Sequence, residues 1–82
     1  MIKVLFFGQL KDQLQTDTLE VKIEAPQTVA QLSAHLIEGR PEWAHDLNDD
    51  KLLVAVDQVM AKPDTLVPVT AEVAFFPPVT GG

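Results

Sequence analysis

Hydrophobic and polar positions follow one another along this chain in patterns that mark out its elements. Residues 2–7 are an apolar run interrupted only by Lys3. With Lys3 turned to water, a period of two sends Leu5 and Phe7 to the same open face and Ile2, Val4 and Phe6 to the core. Residues 8–15 hold Gly8, Lys11, Asp12 and three glutamines, a polar turn or short helix. Residues 18–24 alternate cleanly, with Leu19, Val21 and Ile23 on one side and Thr18, Glu20, Lys22 and Glu24 on the other. That is the signature of a half-buried antiparallel strand.

The period then changes. Pro26 and Thr28 open a helix, and Thr28-Val29-Ala30-Gln31 matches a capping box, hydroxyl at the N-cap and glutamine three residues on. Val29, Leu32 and Leu36, with Ile37 beside them, form one apolar stripe for a sheet to cover. Gly39 is expected to stop the helix, with Pro41 just after. Residues 41–47 predict one more helical turn, Trp43 and Leu47 closing an open edge of the core. Asn48-Asp49-Asp50 is a turn by composition. The continuous apolar run at 52–56 is the expected central strand. Asp57-Gln58 turns into a short piece at Val59-Met60, and residues 73–76 form the last strand, with Leu66 and Val69 packing ahead of it. The order is strand, strand, helix, strand, short strand, strand. It predicts an α+β fold, one mixed sheet packed against one main helix.

Eighty-two residues make a single small domain, in which folding buries only about 60–65% of the unfolded chain's surface. The 46% hydrophobic content nonetheless supplies a core and excludes disorder. No apolar run approaches the ~18–20 residues that span a bilayer. The opening MIKVLFF is too short for a secretory signal and lacks a small-residue cleavage site, so it is expected to be a buried strand. Six Lys and Arg against twelve Asp and Glu give a formal charge of −6. Such a chain is repelled by phosphate backbones and anionic lipid, so neither nucleic acid nor membrane is an expected partner. A protein with Lys and Arg in its cleft fits better, and the cytoplasm is the expected location.

Side-chain chemistry is sparse. The chain has no cysteine, which removes disulfides, thiolate metal sites and thiol nucleophiles together. His35 and His45 are the only histidines and lie ten residues apart, without the tighter spacing of a zinc site, so no metal is expected. Ser33 is the only serine, and glycines at 8, 39, 81 and 82 form no phosphate loop. Asp49-Asp50 reads as a turn rather than a catalytic pair, and Trp43 as packing. More informative are Phe7, Phe76 and Met60. Taking Glu72 as outward-facing, alternation turns Ala74 and Phe76 outward and Val73 and Phe75 inward. Phe7, Phe76 and Met60 then share one open sheet face, and converging exposed apolar groups mark an interface.

The chain ends Phe75-Phe76-Pro77-Pro78-Val79-Thr80-Gly81-Gly82. Two prolines end any strand and favour an extended path, and residues 77–82 span at most about 20 Å. Gly81 and Gly82 carry no side chains, so such a tip enters a narrow slot and adopts any backbone angle there. The segments FFPPVTGG, MIKVLFFGQL and KLLVAVDQ together resemble the molybdopterin synthase small-subunit family, over nearly all of the chain. These are sulfur carriers of the ubiquitin-like β-grasp class. The resemblance implies a β-grasp domain at residues 1–76 and a flexible tail at 77–82, and with Met1 in place the chain looks whole.

The resemblance also implies a mechanism. A free carboxylate is a poor electrophile, so a separate ATP-dependent activating enzyme adenylates Gly82, and a sulfur donor displaces AMP to leave a thiocarboxylate. The tail (Pro77, Pro78, Val79, Thr80, Gly81) then threads into the large subunit, and the face at Phe7, Met60 and Phe76 docks against it. Sulfur passes to a pterin precursor to build the molybdopterin dithiolene, which takes two carrier turnovers. The chain alone would have no activity and bind no cofactor, and two small and two large subunits would form the assembly. The family often has an Asp-Gly turn before its last strand, where this chain has Val67-Pro68-Val69-Thr70-Ala71, so that loop must turn by another geometry. Asp57 stands where asparagine is common. Rival readings are a sulfur carrier for thiazole synthesis, a protein modifier conjugated through Gly82, and an interaction domain with an inert tail.

Overall fold

The computed structural model describes residues 1–77, in the order β1 (Ile2–Phe6), α1 (Gly8–Leu14), β2 (Thr18–Val21), β3 (Gln27–Thr28), α2 (Val29–Gly39), a 3₁₀ turn (Pro41–Trp43), α3 (Ala44–Leu47), β4 (Leu53–Val56), β5 (Val59–Met60), β6 (Leu66–Val67) and β7 (Glu72–Phe76). Five strands make one mixed sheet in the order β2-β1-β7-β4-β5. β1 and β7 run parallel, and the other neighbours pair antiparallel. The centre of the sheet is therefore β7 and not the 52–56 run, whose strand β4 lies beside it.

The alternation of β1 is realised as expected: Ile2, Val4 and Phe6 are buried under α2 while Lys3 stays exposed. Val73 and Phe75 of β7 and Val54 and Val56 of β4 join them on the helix side. Phe6 lies at the middle of this core. Its ring stacks on Phe75 with centroids 5.7 Å apart and meets Trp43 edge-on at 5.3 Å, both favoured aromatic geometries. Trp43 is capped in turn by the Arg40 guanidinium, 5.1 Å from the ring centroid. The helical turn at 41–47 thus covers the core edge with Trp43 and Leu47, as the composition suggested.

The start of α2 is fully provided for. Gln31 N–H donates to Thr28 Oγ1 at 3.1 Å and Thr28 N–H donates to Gln31 Oε1 at 2.9 Å, closing the capping box. The first two helical N–H groups, of Val29 and Ala30, donate to the carbonyls of Thr65 and Pro63, each at 2.9 Å. A helix leaves these donors without internal partners, and the 63–65 loop satisfies them. That loop is held by a second, two-stranded sheet of β3 and β6, with Gln27 opposite Val67 and Thr28 opposite Leu66.

Several expectations are corrected. Leu66 does not pack ahead of the last strand: it is 63% exposed, whereas Val67 is fully buried. In a two-residue strand paired to β3 rather than to the main sheet, Val67 is the residue facing inward. The strand predicted over 18–24 ends at Val21, although Ile23 still turns into the core. The 8–15 stretch, expected as a polar turn or short helix, does form the short helix α1, and its Leu10 and Leu14, one turn apart, are buried. Gly39 is the last helical residue and not a left-handed stop; its φ is not positive. Arg40 ends the helix at φ −138° and ψ 78°, because a residue before proline is driven out of the helical region. The 67–71 loop turns through an Ala71 N–H to Pro68 carbonyl bond of 3.1 Å without any positive φ. No helix among the described residues is long and apolar enough to cross a membrane.

Asp57 and Gln58, at φ 49° and 70°, make the tight β4–β5 turn, the double left-handed geometry that matches strand twist. Asp57 also binds β7 twice: its N–H donates to the Glu72 carbonyl at 2.8 Å, and its Oδ1 accepts from Glu72 N–H at 2.9 Å. Asparagine offers the same acceptor. Asp57→Asn should accordingly leave the thermal midpoint within a degree or two, while Asp57→Ala should lower stability by about 1–2 kcal/mol. Gly39→Ala should raise it by roughly 0.5–1 kcal/mol, since a Cβ there meets nothing within 4 Å. Thermal unfolding followed by circular dichroism reads all three.

Candidate functional site: the open sheet face and the root of the tail

The face of the sheet away from α2 is set by register. Glu72, Ala74 and Phe76 of β7 lie opposite Lys3 and Leu5 on one side and Ala55 and Leu53 on the other, with Phe76 opposite Leu53. Met60 of β5 lies opposite Ala55. All of these side chains project to the open face. Its rows grade from charged at the start of β7, with Lys3 and Glu72, to apolar at its end, with Leu53 and Phe76.

Phe7 and Phe76 meet at that apolar end. Their rings are parallel within 9° and 4.9 Å apart between centroids. Phe7 is carried there by its N–H bond to the Phe75 carbonyl, 3.1 Å long, which extends the parallel ladder one step past β1. It remains 42% exposed, and Leu53 (38%) and Met60 (61%) are exposed on the same face. Single exposed apolar side chains are ordinary. Four on one strip, with no polar residue between Phe76 and Leu53, form a patch of the kind that marks protein contact.

Of the residues selected from sequence, Phe7 and Phe76 are in direct contact, and Met60 stands on the same face one strand beyond β4. Leu53 was missed, because a continuous apolar run does not reveal which of its residues face out. Gly8 was missed as well. At φ 59° it opens α1, and a Cβ there would lie 3.0 Å from Pro77 Cγ. The half-buried Pro77 ring can settle over the backbone at this point because no side chain occupies the space. The root of the tail is thus held on two sides, by the Phe7–Phe76 stack and by Gly8. Pro78, Val79, Thr80, Gly81 and Gly82 lie outside the described residues.

Elsewhere, His35 and His45 are both exposed on helical surfaces. Among the described residues no cluster of three His, Cys, Asp or Glu side chains could hold a metal ion. A surface groove of about 630 Å³ runs between residues 22–27 and α2, away from the aromatic pair.

Comparison with known proteins bears directly on this arrangement. The ThiS family model matches residues 4–82. The chain is 48% identical to the molybdopterin synthase sulfur carrier subunit of Escherichia coli (strain K12) and 37% identical to that of Haemophilus influenzae, over all of both chains in each case. Among solved structures it resembles SAMP1 from Haloferax volcanii, with a TM-score of 0.83, 23% identity and coverage of 99% of this chain and 98% of the other. It also resembles the small archaeal modifier protein 1 from Methanosarcina acetivorans, with a TM-score of 0.76, 20% identity and coverage of 99% and 95%. At these identities the structural matches speak for the fold alone, the ubiquitin-like β-grasp. The family model and the full-length relatives go further, and the chain belongs to the ThiS family, alongside the molybdopterin synthase sulfur carrier subunits.

Proposed function

We propose that this chain is the sulfur-carrier subunit of a molybdopterin synthase, and that the group it carries sits on the carboxyl of Gly82. The observation that carries the reading is the 48% identity, over the whole of both chains, to a protein of that name. Cysteine is absent from the sequence, so a carried sulfur has no side-chain thiol to ride on. In the proposed cycle an activating enzyme uses ATP to adenylate the Gly82 carboxylate with release of pyrophosphate. A sulfur donor displaces AMP and leaves a thiocarboxylate, an anion whose sulfur is the better nucleophile. After transfer of sulfur to the pterin precursor, water restores the carboxylate. The large subunit contributes the catalytic groups and this chain contributes the sulfur.

The physical requirements of that role match the described part of the molecule. A carrier must be bound, give up its cargo and leave, which calls for a docking face that does not include the cargo. The strip at Phe7, Leu53, Met60 and Phe76 supplies apolar area beside the root of the tail, where Pro77 leads into Pro78 and the diglycine. Docking there would bring residues 77–82, at most about 20 Å of extended chain, to a pocket in the partner. The same fold occurs in proteins named modifiers, so the test must separate sulfur loading from conjugation.

Intact mass after incubation with ATP, an activating enzyme and a sulfur source should show one oxygen replaced by one sulfur, localised to Gly82. Deleting Gly82 should abolish loading and leave the fold unchanged by circular dichroism. An isopeptide-linked product in place of thiocarboxylate would instead identify a modifier. Phe76→Asp should weaken binding to the large subunit by about tenfold or more without altering sulfur loading chemistry on a pre-activated chain. Undiminished affinity in calorimetry would remove the sheet face from the docking surface.

A further inference from the structure

Among the described residues the main sheet has a free edge at β2, on the side of β1 away from β7. Which backbone groups are free there follows from parity. Phe6 N–H donates to the Asp17 carbonyl at 2.9 Å, and the register places Val4 opposite Leu19 and Ile2 opposite Val21. Hydrogen-bonded and non-bonded pairs alternate along an antiparallel ladder, so Asp17, Leu19 and Val21 direct their N–H and C=O groups to β1. Thr18, Glu20 and, one step past the strand, Lys22 direct theirs away from the sheet. The other side of β1 agrees: the N–H groups of Lys3 and Phe7, the odd positions, point toward β7 and its approach.

We propose that this edge pairs with itself, a second copy of the chain adding antiparallel to β2 about a dyad at Val21. In that register Glu20 lies opposite Lys22 of the second copy, and Lys22 opposite its Glu20. These are also the residues whose backbone groups are free to form the bonded pair. Both side chains are exposed, and their opposite charges meet on the open face. A dyad at Glu20 or at Lys22 would instead set like charges directly opposite one another, which is destabilising. Charged residues usually guard a sheet edge against pairing, but two of opposite sign spaced two apart are complementary to their own reversed copy. Leu19 would lie opposite Ile23, beside a groove of about 360 Å³ whose lining mixes Leu19, Val21, Leu36 and Trp43 with His35 and Arg40. A dyad normal to the sheet keeps both apolar faces on one side and puts the two Phe7–Phe76 pairs at opposite ends. Self-pairing therefore leaves the proposed docking strip free, and the inference stands independently of the sulfur-carrier reading.

Sedimentation equilibrium of the full chain at physiological salt, from about 10 µM to about 1 mM, spans the range of weak association. The expected result is a reversible dimer. Glu20→Lys and Lys22→Glu should each weaken it by roughly tenfold, and the double exchange, Glu20→Lys with Lys22→Glu, should restore it. The single variants shift the formal charge of −6 in opposite directions, to −4 (−6 + 2) and −8 (−6 − 2). Bulk repulsion alone would therefore move them oppositely, whereas edge pairing weakens both. The double variant keeps the wild-type composition, and circular dichroism checks the fold of each. A chain that stays monomeric throughout, a dimer indifferent to the edge variants, a double exchange that fails to restore it, or a dimer abolished by Phe76→Asp would each overturn the proposal.

Discussion

The parallel pairing of the first strand with the last is the constraint on which the remainder of this molecule hangs. Lys3 lies opposite Glu72 and Phe6 opposite Phe75, residues almost the full chain length apart. Parallel neighbours cannot be joined by a tight turn, so everything between them serves as the crossover, with α2 packed across the face it covers. The pairing brings Phe6 against Phe75, and truncating a buried aromatic of this kind costs about 3–5 kcal/mol. It also continues one residue past the strand, through Phe7, and so seats the aromatic pair at the root of the tail. Core and site are two faces of one ladder.

That economy explains why the open face can be apolar at one end only. The core needs one side of the sheet, and among the described residues no second helix layer covers the other. Lys3 and Glu72 keep the start of the face hydrated, while Phe7, Leu53, Phe76 and Met60 leave its far end uncovered. A net charge of −6 offsets the tendency of such a strip to associate without selectivity. The chain thus combines a small adhesive area with a broadly repulsive surface.

Much of this was legible in residue order, and the parts that were not have specific physical reasons. Alternation in β1, β2 and β7 assigned the inward residues correctly, because a charged residue in each, Lys3, Glu20 and Glu72, fixes which parity faces out. The capping box at Thr28 and Gln31 is local chemistry, and it formed as its spacing required. What escaped lacked either period or locality. Leu66 and Val67 belong to a strand too short to alternate, so nothing in its pattern tells which of the two faces inward. Leu10 and Leu14 are a two-residue stripe inside a polar stretch. Leu53 sits in an unbroken apolar run, and the caps that Pro63 and Thr65 provide to α2 come from residues more than thirty positions away. Gly39 looked like the stop because glycine commonly is one, while the restriction that Pro41 places on Arg40 was already sufficient. Facing of Phe7 and Phe76 could be inferred from parity; their stacking required knowing that β1 and β7 are neighbours.

Parallel strands also separate the two termini. Chain direction is shared by β1 and β7, so Met1, 66% exposed, lies at the opposite end of the ladder from Phe76, about 20 Å away along the strand direction. A tag, a reporter or a second protein appended ahead of Met1 therefore sits clear of the tail root and the aromatic strip. For this fold the amino terminus is the permissive end for labelling, immobilisation or fusion, and the geometry of a single strand pair decides it.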